Sequence, residues 1–357
     1  MGTLPAIPPT EVTVLRTLHH LFGPIHVLWK NRLTVLAYHR ITDPYAPGFD
    51  TFKPNVSATP ADFAAQMDFI REHFNVISID DLVDWLERKR SLPPYPALIT
   101  FDDGYRDNYD HAWPILRERN LPATLFLTTG YIGTAKPFFW DLIAYCFYHT
   151  RKTEAELPPL GRFQWHDEAS RDEVMKYWLG LLKTLPDEEK QVAVERLPQE
   201  LDVAVDEQFF ASLLLSWDQV REMAAGGFTM GSHTENHPIL TRIPLEQARA
   251  EMERSKAHIE AEIGQPVRAF AYTNGMQTDF NAALQEVLSQ IGYKVAFTLL
   301  RGPATLPEVR HAPMAIRRVS CYMYSLARFK VNLTGIPRLL GPIRDGAERL
   351  RQRQLPA

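Results

Sequence analysis

Short runs of apolar and β-branched residues recur along the chain, each followed by a stretch whose apolar positions fall at helical spacing. Leu33–Tyr38, Phe74–Ile79, Ala97–Phe101, Ala123–Thr128, Phe228–Ser232, Val267–Tyr272 and Tyr293–Leu299 read as strands, with Ala315–Ser320 as a weaker eighth. Several are apolar throughout rather than alternating, the pattern of strands covered on both faces. Between them, Phe63, Met67, Ile70 and Phe74 recur at helical spacing, and Leu82, Trp85 and Leu86 continue the pattern. Tyr109–Arg119, Leu245–Ile263 and Phe280–Ile291 also fit helices. This alternation predicts an α/β fold of βα units around a largely parallel sheet, either a barrel or an open doubly wound sheet. The rhythm breaks from about residue 137 to 215. No strand is evident there, and Val174, Tyr177, Leu181 and Leu185 sit at helical spacing among charges. The stretch reads as a mainly helical insertion, which either covers the site or merely elaborates the fold.

Length and composition narrow the class. The 357 residues are 45% hydrophobic and 23% charged, ordinary for a globular chain long enough to bury a core without staples. A net charge of −4 disfavours a basic nucleic-acid binder, and no nucleic-acid role is expected. Cys146 and Cys321 cannot form a cysteine-based zinc site alone and fit a reducing compartment. The first thirty residues carry Pro5, Pro8, Pro9 and Pro24, and Arg16, Lys30 and Arg32 interrupt the apolar run, so no secretory signal is predicted. No uncharged run of ~18 apolar residues occurs, so no transmembrane helix is predicted either. The expected location is cytoplasmic, or peripheral on the inner membrane.

Residues 1–32 read as an N-terminal helical extension, 33–321 as one domain and 322–357 as a basic C-terminal extension. Residues 11–30 either pack on the domain or dock on a membrane or partner. The tail, with Arg328, Lys330, Arg338, Arg344, Arg349, Arg351 and Arg353 against Asp345 and Glu348, is either a solvated helix face or a contact for anionic lipid or polymer. Asn55-Val56-Ser57 and Asn332-Leu333-Thr334 have the form of glycosylation acceptors, which matters only in a secreted protein.

Two motifs carry chemistry. Thr100-Phe101-Asp102-Asp103-Gly104-Tyr105 follows an apolar run, so both carboxylates sit where a strand ends. In parallel α/β folds sites are built at those ends. Adjacent carboxylates there can divide into a metal ligand and a base, although Asp-Asp-Gly also suits a turn or helix cap. Asp80-Asp81, ahead of Leu82 and Trp85, fits the cap. The second motif is Gly231-Ser232-His233-Thr234-Glu235-Asn236-His237. One helical turn would bring His233 and His237 to one metal. With twelve histidines, chance gives about 0.4 pairs at this spacing, so position rather than spacing gives the pair weight. It too follows a β-like run. Two histidines and a carboxylate leave coordination positions open, as in catalytic metal sites.

Together these motifs resemble the polysaccharide deacetylases, carbohydrate esterase family four, with the NodB-homology domain. Ala123-Thr124-Leu125-Phe126-Leu127 lies where that family has its next strand. The resemblance runs from about Leu33 to Ser320, excepting the insertion. It implies an incomplete, distorted (β/α) barrel of about seven parallel strands and a divalent metal, with zinc favoured. It implies Asp103, His233 and His237 as metal ligands and Asp102 as the base. The metal would lower the pKa of bound water from 15.7 towards about 7, and Asp102 would activate that water against an N-acetyl group of an amino sugar. An N-acetylated glycan or polysaccharide is the implied substrate.

The third motif of the family departs here. Phe270-Ala271-Tyr272-Thr273-Asn274-Gly275 resembles the Phe-Ala-Tyr-Pro-x-Gly variant of exopolysaccharide-associated deacetylases, with Thr273 in place of the Pro. Ala271 replaces the Arg that orients the base in many members, and Arg317 or Arg318 is the alternative. The Asn274 N–H is the carried-over oxyanion contact, with Tyr272 and Tyr105 as further substrate contacts. No clear late Leu-x-His motif is present to supply the acid. Tyr38-His39 resembles the N-terminal Tyr-His of the permuted poly-N-acetylglucosamine deacetylase branch, so His39 is preferred over His311. Trp140-Asp141 either lines a sugar cleft or belongs to the core. Two other functions stay open: an O-acetyl esterase or cyclic-amide hydrolase, and a non-catalytic glycan-binding or assembly protein.

Overall fold

The computed structural model describes residues 30–335 except Tyr324. The proposed N-terminal helical segment and the arginine-rich end of the tail lie outside the described residues. Seven strands run parallel: β1 (Arg32–Tyr38), β2 (Pro96–Asp103), β3 (Thr124–Leu127), β4 (Thr229–Ser232), β5 (Ala269–Ala271), β6 (Val295–Arg301) and β7 (Ile316–Ser320). Each pairs with the next, and β7 pairs back onto β1 through Leu36↔Val319 and Ala37↔Ser320. The sheet therefore closes into a seven-stranded barrel, and the open-sheet alternative falls away. Two seams are thin. β4 and β5 share the single pair Phe270↔Ser232, and between Phe297↔Ile316 and Arg301↔Arg318 the β6–β7 register slips.

Period-two alternation sorts the strand side chains between two layers. Leu33, Val35, Leu98, Phe126, Phe297 and Ile316 pack together inside the barrel. Leu36, Ile99, Phe101, Leu125, Phe270 and Val319 pack outward under the helices. Above the inner layer, Thr100 and Asp102 continue the inward set of β2 after Leu98, and Arg318 continues that of β7 after Ile316. The top of the barrel is thus polar and buried, while its lower part is apolar.

The helices include α1 (Pro60–His73), α2 (Ile79–Leu86), α3 (Phe139–His149), α4 (Glu168–Leu182), α5 (Asp187–Glu200), α6 (Trp217–Ala225), α7 (Leu245–Ile263), α8 (Ala282–Ile291) and α9 (Leu326–Leu333). The expected strand Phe74–Ile79 shrinks to Asn75–Val76, because Ser78 and Asp81 form a capping box that starts α2. Asp80-Asp81 is therefore helix-start chemistry. The 137–215 stretch is mainly helical, but it contains a short antiparallel hairpin, Glu154–Glu156 with Arg162–Gln164, that periodicity did not reveal. It has its own core, built from Phe138, Trp140, Phe147, Met175, Trp178 and Leu197 among others. Helix α9 buries Phe329 and Leu333 in the outer core, so the packed body runs past residue 321. No helix among the described residues is long and apolar enough to cross a membrane.

Candidate active site

The carboxyl ends of the strands share one rim, and nearly all of the candidate chemistry gathers there. Asp102 and Asp103 end β2, opposite Phe126 and Leu127 of β3. Both carboxylates are about 1% exposed. Buried charges of this kind persist only when paired, and each has a partner of its own. Arg318, fully buried, reaches across the barrel and donates from both terminal nitrogens to the two Asp102 oxygens, each at 2.7 Å. Its Nε donates to the Thr298 carbonyl at 3.0 Å, which fixes the plane of the guanidinium. Burial pushes the Asp102 carboxyl up, but Arg318 outweighs it and holds the group below the ordinary carboxylate range. Arg318 is therefore the partner that Ala271 cannot be.

Asp103 takes a left-handed backbone, φ 78°, that turns its side chain from the strand direction toward two imidazoles. Its Oδ1 lies 3.6 Å from His233 Nε2 and 3.5 Å from His237 Nε2. The histidines reach this position by a different route from the helical turn expected from their spacing. They lie in a loop after β4 in which Thr234 and His237 both have positive φ. The loop is pinned from three sides. His233 N–H donates to Leu127 O, Gly130 N–H donates to Glu235 O, and Glu251 of α7 accepts from the backbone N–H groups of Glu235 and Asn236.

The donor set fits a divalent cation. The three ligand atoms lie within 4.8 Å of one another. A tetrahedral ion with bonds near 2.1 Å separates its ligand atoms by about 3.4 Å, close to the separations from Asp103 and longer than hydrogen bonds. His233 Nδ1 donates to the Ala271 carbonyl at 2.7 Å, which leaves the Nε2 lone pair facing Asp103. Burial drives the His233 pKa down to about 4, against the pull of Asp102, so the ring is neutral as a ligand must be. Among the described residues the His237 Nδ1 is buried without a hydrogen-bond partner.

His39 follows β1, and its Nε2 lies 3.9 Å from Asp102 Oδ2. Its backbone is held by N–H donation to Ser57 Oγ and by Asn108 Nδ2, which donates to its carbonyl. Asn274 stands on the opposite side with φ 59°, its side-chain amide donating to Asp279 at 2.6 Å. These residues line one cavity of about 220 Å³ with Asp102, Asp103, His233 and His237.

Three expected contacts change. The Tyr272 ring lines the cavity, but its hydroxyl donates to the Met314 carbonyl at 3.0 Å, which occupies the atom an oxyanion would need. Tyr105 lies behind the cavity wall. Its hydroxyl donates to Asp141 at 2.5 Å and accepts from Trp140 Nε1 at 2.8 Å. His311 does not join the site. It ends the short helix Leu306–His311, exposed, ahead of the first residue of β7 and so at the opposite end of the barrel.

Trp140-Asp141 proves to be both things. Trp140 lines the cavity and packs edge-on to His237, with centroids 4.8 Å apart. Asp141 is core, where burial raises its carboxyl to about 6 against Arg40. Sequence reasoning missed Asn55, whose Nδ2 lies 3.3 Å from both Asp103 Oδ2 and the Tyr105 hydroxyl. The glycosylation-like tripeptide Asn55-Val56-Ser57 thus contacts Asp103 and His39. Glu251 and Lys183 were missed as well. Lys183, from the end of the insertion's helix α4, donates to Asn274 Oδ1 at 3.0 Å.

Fold and site together define a parallel α/β barrel with a carboxylate, two imidazoles and a paired aspartate on its carboxyl rim. The family model for polysaccharide deacetylase matches residues 89–296, more than half of the sequence. The chain belongs to the polysaccharide deacetylase family. Over 114 residues it is 32% identical to the poly-beta-1,6-N-acetyl-D-glucosamine N-deacetylase of Staphylococcus epidermidis, covering 29% of this chain and 39% of that protein. The Staphylococcus aureus protein of the same name is 26% identical over 123 residues, 32% of this chain and 42% of that one. The match thus spans about two fifths of these relatives. Among solved structures, the Streptococcus pyogenes deacetylase PplD in complex with acetate aligns with a TM-score of 0.53 at 18% identity, covering 82% of this chain and 92% of that one. IcaB from Ammonifex degensii aligns with 0.52 at 18% identity, covering 85% and 96%. At these identities the likeness shows the fold.

Proposed function

We propose that the protein is a metal-dependent hydrolase that removes N-acetyl groups from the amino sugars of a polysaccharide or glycan. The observation that carries this reading is the pairing on one rim of Asp102, held bidentately by Arg318, with the Asp103–His233–His237 cluster. The names of the staphylococcal relatives point the same way.

A divalent cation on Asp103, His233 and His237, most simply zinc, would supply Lewis acidity to a water and to the acetyl carbonyl. The chain's own residues do the rest. Asp102, ionised and fixed in plane by Arg318, accepts the proton of the attacking water. Asn274 presents its backbone N–H where negative charge develops on the carbonyl oxygen. His39 delivers a proton to the departing nitrogen, which an amide needs because an amide anion is a very poor leaving group. That His39 lies beside Asp102 favours an amide over an ester, whose alkoxide leaves more readily. The features that favoured a non-catalytic protein were the missing Arg at Ala271 and the missing late His; Arg318 on Asp102 and His39 beside it support the catalytic reading instead.

The test is metal content together with acetate release from an N-acetylglucosamine oligomer, for wild type and Asp102→Asn. Stoichiometric metal with Asp102-dependent release is expected. Bound metal with release only from O-acetyl sugars would replace the amide reading by an esterase. No metal after reconstitution would overturn the hydrolase.

A further inference from the structure

Lys183 stands out because neither the motifs nor the proposed chemistry uses it. It comes from the insertion rather than the barrel, yet it lines the same cavity as Asp102 and His237. Leu179, Phe139, Ile239 and Leu299 line the same cavity. Among the described residues its ammonium makes one hydrogen bond, to Asn274 Oδ1, and an ammonium has three donors. Among the described residues no carboxylate lies within ion-pair distance of it. Asp102 is engaged by Arg318 and Asp103 faces the two imidazoles, while Asp279 is reached only through the Asn274 amide. Burial accordingly lowers the Lys183 pKa, with Asp279 pulling the other way. Lys183 is half-buried, so its two remaining donors face the cavity, where a bound ligand's acceptors can reach them.

We propose that Lys183 is a specificity-determining residue that pairs with an anionic substituent, a carboxylate or a phosphate, on the glycan bound in this cavity. The proposal rests on the deacetylase reading for the identity of the ligand as a glycan. An oxyanion satisfies the two free N–H donors and the charge together, which a neutral hydroxyl does not. The same ammonium disfavours units that carry a free, protonated amine, so the pocket sorts glycans by charge.

The test uses the metal-loaded full chain in an Asp102→Asn background, so that binding is read without turnover. Calorimetry compares tri-N-acetylchitotriose, which is neutral, with a hyaluronan tetrasaccharide, which bears carboxylates, and with N-acetylglucosamine 6-phosphate. At least one anionic probe should bind about tenfold or more tighter than the neutral one. Lys183→Gln should abolish that preference, Lys183→Arg should retain it, and added salt should weaken it. The arm that carries the preference names the anion. Equal binding of all three probes, or a Lys183→Gln variant that weakens all three alike, would overturn the proposal and leave Lys183 a tie between insertion and barrel. Acetate release by wild type separates the two readings. Asp102-dependent release without charge preference keeps the deacetylase and removes this proposal. Lys183-dependent anion binding without release from any oligomer does the reverse.

Discussion

Replacing Arg318 by Met tests the centre of the argument. The side chains are similar in length, so packing changes little while the charge and the donors vanish. Two charge-assisted hydrogen bonds of 2.7 Å to Asp102 are lost, with the bond to the Thr298 carbonyl. At about 1.5–3 kcal/mol per bond to a charged group, the two Asp102 bonds agree with the about 3–5 kcal/mol typical of removing one partner from a buried ion pair. The expected loss of folding stability at neutral pH is therefore about 3–5 kcal/mol. The loss should depend on pH, with a definite sign. In wild type Arg318 holds the Asp102 carboxyl below its ordinary value. Its contribution is present above the unfolded pKa of about 3.9 and fades as pH falls through the lower folded value.

In Arg318→Met burial acts without that charge and raises the carboxyl above its unfolded value. The folded variant then takes up a proton as pH falls and recovers part of what it lost. The gap between the two proteins should be widest near neutrality and should narrow toward about pH 4.5. Urea unfolding followed by tryptophan fluorescence at several pH values measures it, since groups common to both proteins cancel in the difference. A gap under about 1 kcal/mol at neutral pH, or one that does not change with pH, would refute the claim that Arg318 compensates a buried ionised Asp102. Arg318→Lys keeps the charge but not the bidentate fork, and should fall between. In both variants acetate release should drop, by about a hundredfold or more in Arg318→Met, because an unoriented base is a poor one.

Other outcomes follow from the same geometry. Asp102→Asn should retain stoichiometric metal by elemental analysis while losing acetate release, whereas the double change His233→Ala with His237→Ala should lose the metal itself. His39→Gln should slow release from an acetamide by about a hundredfold or more. It should leave an aryl acetate nearly unaffected, because a phenolate leaves without a proton; equal losses on both would remove His39 as the acid. Gly130→Ala would place a methyl 2.7 Å from Glu235 O and 3.0 Å from Asn236 Oδ1. The loop carrying His237 must then shift, and metal affinity measured against a chelator should fall about tenfold or more.

Much of the site could be read from the sequence because its strongest residues sit at ends of strands. An apolar run closing on Asp102-Asp103 announces buried carboxylates at a barrel rim, and Arg318 follows Ile316 at the inward-facing period of the last strand. The histidine pair was marked by its position after a β-like run, but its geometry was not legible. Positive φ at Thr234 has no signature in residue type, since a β-branched residue rarely adopts it, and a histidine such as His237, though enriched there, does not require it. Asn55 was hidden by its likeness to a glycosylation acceptor, and Glu251 by its place on an ordinary amphipathic helix. Tyr272 and Tyr105 were placed by motif alone, which fixes where a ring lies but not which carbonyl or carboxylate its hydroxyl finds.

Two of these outcomes could have been argued from chain polarity. In a parallel barrel, connections from strand to helix lie on the carboxyl rim and connections from helix to strand on the other. His311 lies between a helix and the start of β7, so it was bound for the far end whatever its neighbours in sequence. The insertion runs from β3 to α6, before the helix that packs Val220 and Met223 on the barrel, so it had to emerge on the rim that holds Asp102. That order decides between a covering insertion and a distant elaboration. An insertion placed after α6 would have emerged at the opposite end, and Lys183, just past the end of α4, could not have reached Asn274. Lys183 is therefore a consequence of where in the βα unit the extra chain was placed. Related barrels with an insertion at the same point have the means to contribute a wall to this cavity, whatever its sequence.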